Sequence, residues 1–92
     1  MIFKLILNVA CKDGLAVGTR QVDHQHWSVG MTAVCGRMED HLALGNVDRV
    51  VYDIELGTLT VVLDFCFDHF DQESRAKANE WLTANGWRPA IE

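Results

Sequence analysis

The sequence predicts an α+β domain of order ββαββα, a four-stranded antiparallel sheet with two helices packed on one face. Three observations predict it. Apolar residues alternate through residues 2–11 and again on both sides of Gly57-Thr58. A stripe at helical spacing runs from Trp27 to Leu42, and a capped and stopped helical pattern occupies residues 72–85. With 92 residues, 49% of them hydrophobic, a single proline and no linker-like run, the chain reads as one domain over residues 1–92.

In the opening "MIFKLILNVAC", Phe3, Leu5, Leu7, Val9 and Cys11 share one strand face, and Ile2, Lys4, Ile6, Asn8 and Ala10 the other. Only three apolar residues separate Lys4 from Asn8, too few for the core of a signal peptide, so the segment reads as a strand. Asp13-Gly14 favours the positive φ angles of a tight hairpin and pairs this strand with a weaker one over residues 15–22. Gly18 interrupts that second run, and a loop is the alternative there.

Trp27, Met31, Val34, Cys35, Met38 and Leu42 form the apolar stripe of a helix that Asp23 would cap and Gly45 would close. Gly30 and Gly36 each cost such a helix roughly 1 kcal/mol relative to alanine. A strand through Trp27, Val29, Met31 and Ala33 is the competing reading. On the helix, His24 and His26 lie about 200° apart and cannot share a metal ion; on the strand they would share a face.

A two-residue turn at Gly57-Thr58 sets Leu56 against Leu59, Ile54 against Val61, Tyr52 against Leu63 and Val50 against Phe65, with all eight on the buried side. In the final helix Asp71 is the expected cap and Glu73 a favourable first-turn charge. Ala78, Trp81 and Leu82 form its inner stripe. Gly86 should take a left-handed conformation that folds Trp87 back on Leu82, ahead of Pro89.

Catalytic constellations are thin. Cys35 with His41, and Cys66 with His69, are the thiol and base pairs available, and neither forms a motif. Asp53, Glu55 and Asp64 fall on the outer face of the second hairpin, Asp53 and Asp64 as diagonal neighbours that could hold Mg²⁺; no phosphate-cradling glycine loop accompanies them. His24, His26, His41 and His69 stand at no ligand spacing, and no cofactor is expected. Three cysteines without a CxxC pair read as reduced thiols, and no apolar run reaches the roughly 20 residues of a membrane span, so a cytoplasmic location is expected.

Charge is the strongest functional signal. Residues 1–46 balance, whereas residues 47–92 hold four bases against nine acids and so carry the whole net charge of −5. Asp53, Glu55, Asp64, Asp68, Asp71 and Glu73 follow one another with no lysine or arginine between them. Such a surface repels nucleic-acid phosphate and anionic lipid and attracts basic protein. Val51 and Val62, with Ile2 and Ile6, add apolar area to the same open sheet face.

In size, acidity and lack of catalytic apparatus the chain resembles small phage-encoded inhibitors of nucleic-acid-handling defence machinery, the anti-CRISPR proteins among them. The likeness is one of character and not of motif. It implies a non-enzymatic inhibitor that sets its carboxylates against the lysines and arginines of a nucleic-acid-binding complex. A small metal-dependent or thiol enzyme and a structural homodimer are the alternatives.

Overall fold

A computed structural model describes residues 2–23, 26–39, 41–66 and 70–90. Its elements in chain order are β1 (Ile2–Cys11), β2 (Gly14–Val22), β3 (Thr32–Met38), β4 (His41–Asp53), β5 (Thr58–Phe65), α1 (Arg75–Ala84) and β6 (Arg88–Pro89). They build a six-stranded mixed sheet in the order β3-β4-β5-β1-β2-β6. β1 and β5 run parallel; every other neighbouring pair is antiparallel. The expected four-stranded antiparallel sheet with two helices is therefore corrected to a mostly β fold with a single helix among the described residues.

The helix expected from its Asp23 cap to its close at Gly45 is instead irregular chain over residues 26–31, then β3 and the first part of β4. The β3–β4 register shifts between Val34 and Gly36. That bulge leaves Cys35 and Met38 both buried three residues apart, a spacing that imitates a helix face. Val34 and Leu42 of the expected stripe are exposed, and the buried residues after the turn, Ala43, Gly45 and Val47, alternate as a strand requires. β4 then carries a second irregularity between Val47 and Arg49. The first bulge hides the period of two in the β3–β4 hairpin, and the second interrupts β4 where it pairs with β5.

The first hairpin forms as a strand pair, with Cys11 opposite Gly14 and Phe3 opposite Val22. Its loop is Lys12-Asp13, with Gly14 at φ 132° as the first residue of the return strand. The β4–β5 hairpin differs from its expected register. Strand pairing stops at Asp53 and Thr58, and residues 54–57 make a loop in which Leu56 N–H donates to Asp53 Oδ1 at 3.0 Å and Gly57 N–H to the Asp53 carbonyl at 2.9 Å. Tyr52 thus faces Leu59 and Val50 faces Val61. An aspartate that can turn the chain through its own side chain outcompetes a two-residue turn at Gly57-Thr58.

Leu5, Leu7, Val9, Val47, Val61 and Leu63 bury one side of the sheet, and Phe70, Ala78, Leu82 and Trp87 cover them. Helix α1 starts later than expected, because Ser74, and not Asp71, is its cap, accepting from Lys77 N–H at 3.4 Å. Its end follows the sequence reading. Gly86 has φ 83°, its N–H donates to the Thr83 carbonyl, and Trp87 N–H donates to the Leu82 carbonyl at 2.9 Å. α1 lies close on β2 because Gly18 has no side chain; a Cβ there would stand 2.8 Å from Leu82 Cδ2 and 3.0 Å from Trp87 Cβ.

The sheet curls until Trp87 touches both flanks. It packs on Gly18 of β2, while its Nε1–H donates to the Cys35 carbonyl of β3 at 2.7 Å. Trp81 Nε1–H donates to the Arg37 carbonyl at 3.0 Å, and Arg37 N–H donates to Asn85 Oδ1 at 2.9 Å. Side chains at the end of α1 thus stand where a further strand would pair with β3. Each bond contributes about 0.5–1.5 kcal/mol, and together they deny that edge to other chains.

Candidate interaction surface

The side of the sheet away from α1 is the open face. Residues that alternate with the buried ones line it: Lys4, Ile6 and Asn8 of β1, Thr60, Val62 and Asp64 of β5, and Arg49, Val51 and Asp53 beyond the bulge of β4. A polar row crosses it. Thr32, Asn46, Asp64 and Asn8 are successive neighbours on β3, β4, β5 and β1. Thr32 Oγ1 donates to Asn46 Oδ1 at 2.9 Å, and Asn8 Nδ2 donates to Asp64 Oδ1 at 3.5 Å.

The predicted partner-binding residues distribute as follows. Val51, Val62, Asp53 and Asp64 do share the open face, with Val51 exposed and Val62 half-buried. Asp53 and Asp64 are not diagonal neighbours. Asp53 pairs with Thr58 at one end of β5, six residues or about 20 Å from Asp64 at the other, too far to grip one cation. Glu55 sits exposed in the hairpin loop, and Asp71 is exposed in the turn before α1. Glu73 is half-buried, and its carbonyl accepts from Lys12 N–H at 3.0 Å. Asp68 lies outside the described residues. The acids form a scattered field and not a chelating nest; among the described residues no group of three or more His, Cys, Asp or Glu is placed to hold a metal ion.

The thiol candidates separate in the same way. Cys35 is buried in the core, and burial pushes its thiol up to about 11, with Cys66 adding to the rise and Arg20 opposing it. The thiolate needed for nucleophilic attack is thereby disfavoured. His41 is exposed on β4. Cys66 is exposed, its Sγ–H 4.0 Å from the Asp64 carbonyl, and its proposed base His69 lies outside the described residues, as does His24. A groove of about 410 Å³ between the first hairpin, α1 and Pro89 holds Asp13 and Arg75, but Asp13 serves the helix there, accepting from Arg75 N–H at 2.8 Å.

What sequence reasoning missed is the end of the β4–β5 hairpin. Tyr52, Ile54 and Leu56 were expected on the buried side, yet they are 49%, 85% and 74% exposed. The core stops at Val50 and Leu59, which are half-buried against it, and the hairpin runs on past that limit. Asp53 and Glu55 flank these apolar side chains. The signal available in the sequence was the Asp-x-x-Leu-Gly turn, which shortens the paired strands and pushes the aliphatic residues into the loop.

No helix among the described residues is long and apolar enough to cross a membrane. Comparison with protein-family models, with curated proteins and with solved structures finds no match to this chain.

Proposed function

We propose that the chain is a non-enzymatic interaction module, cytoplasmic, that docks its acidic β4–β5 hairpin on a basic protein surface. The observation that carries the reading is the hairpin end. Ile54 and Leu56 stand almost bare beside Asp53 and Glu55, and from Val50 to Ser74 the sequence has no lysine or arginine. Solvated aliphatic side chains inside a one-signed field suit a contact whose centre is apolar and whose surround is cationic. The fuller form of the proposal is an inhibitor that occupies the nucleic-acid groove of a defence complex, where lysines and arginines would meet Asp64, Asp71, Glu73 and the hairpin acids.

The test is affinity capture with a nuclease wash, comparing the natural chain with a Glu55→Lys/Asp64→Lys variant and with an Ile54→Ser/Leu56→Ser variant. Asp53 is left intact because its side chain holds the turn. Basic proteins retained by the natural chain should be lost from both folded variants, with affinity down about tenfold or more and association slowed by added salt. Equal retention by all three chains refutes the reading.

A further inference from the structure

The side of β4 that faces away from β5 is only half covered. β3 pairs with residues 41–46, and Gly30 and Met31 take the backbone of Val47. Past that point β4 overhangs its neighbour, and among the described residues none bonds the outer backbone of residues 48–52. Alternate residues of a strand turn N–H and C=O to such a side, and an uncovered edge is a template for another strand. The fold guards its other flanks, with Trp81, Asn85 and Trp87 across β3 and the two-residue, proline-ended β6 beside β2.

The overhang reads Asp48-Arg49-Val50-Val51-Tyr52-Asp53. Laid antiparallel on a second copy about Val51, it sets Arg49 against Asp53, Val50 against Tyr52 and Val51 against itself, each pair occurring on both sides of the axis. Arg49, Val51 and Asp53 share the open face while Val50 and Tyr52 share the opposite one, so each pairing meets on a common face. Opposite charges and apolar pairs directly opposed are the stabilising combinations across an antiparallel ladder. Moving the axis to lie between Val50 and Val51 opposes Asp48 to Asp53, and a parallel pairing in register opposes Arg49 to Arg49. Both bring like charges together. The pair that Arg49 now makes with Asp48, 3.9 Å apart at the surface, is weak and freely exchanged.

We propose that the chain forms a two-fold homodimer by antiparallel pairing of these β4 overhangs centred on Val51, so that two six-stranded sheets run on as one. The occupant is a second copy because the segment is complementary in charge and apolarity to its own reverse. The dimer goes beyond the partner reading above and stands without it.

Sedimentation velocity across a range of protein concentrations should show a concentration-dependent dimer. Val51→Lys opposes two cations at the axis and should weaken it about tenfold or more, with the fold kept because this side chain is 46% exposed. In a Cys66→Ser chain, Val51→Cys should oxidise to a disulfide-linked dimer, since directly opposed residues meet disulfide geometry, whereas Tyr52→Cys, out of register with its copy, should not. A chain that stays monomeric at every concentration overturns the proposal. So does a dimer in which Tyr52→Cys cross-links as readily as Val51→Cys; that comparison decides the matter even where Val51→Lys fails to fold.

Discussion

Trp87 joins the two flanks of the sheet through opposite ends of one side chain. Its Cβ rests on the Gly18 gap, its ring lies under the Arg20 guanidinium at 5.8 Å, and its N–H reaches the Cys35 carbonyl. Trp87→Phe keeps most of the burial and removes the donor, leaving that carbonyl unpaired beside the core. The expected loss is about 1–3 kcal/mol, read from the urea midpoint. Cys35 itself supplies a pH signature. Its thiol is raised by burial from an ordinary value of 9.0 to about 11 in the folded chain. The unfolded chain therefore releases this proton first as pH rises, and the thiol's contribution to stability is intact below pH 9 and drains away towards pH 11. Urea midpoints at about pH 8 and about pH 10.5 should fall further for the natural chain than for Cys35→Ala.

Elements with consistent start, face and stop signals were legible in the sequence. α1 is the clearest case: Ala78 and Leu82 face inward, and Gly86 and Trp87 end it as their types dictate. Its beginning was misplaced by three residues, since Asp71 and Ser74 are both good caps and only Ser74 precedes the first turn that α1 completes. Ser74→Ala should cost about 0.5–2 kcal/mol in thermal or urea unfolding, whereas Asp71→Ala should cost little. The β3–β4 hairpin was illegible for a definite reason. A bulge at Cys35 restores an i, i+3 pair within a strand and so imitates a helix face. Propensity favoured strand at Thr32 and Val34, yet the periodicity of Trp27 to Leu42 overruled it. At the β4–β5 turn the parity of the apolar residues survived, so Tyr52 still pairs with an apolar neighbour although the register moved.

For the molecule as a whole, the charge asymmetry was plain in the sequence while its spatial pattern was not. Counting residues showed where the carboxylates fall along the chain; only the observed register shows Asp53 of β4 opposite the start of β5 and Asp64 near its far end, which turns a supposed cation site into a dispersed field. The parallel pairing of β1 with β5 was equally hidden, because no local pattern announces a partner some fifty-five residues away. Contacts of that span make folding slow relative to helical domains of this size.

The indole and carboxamide groups that satisfy the β3 rim belong to residues 81, 85 and 87. During synthesis the strands β1 to β5 leave the ribosome first, so the nascent chain carries an unsealed border until the last helix follows. That interval is when a neighbouring polypeptide finds this sheet most adhesive, and chaperone engagement would matter most before the tryptophans emerge.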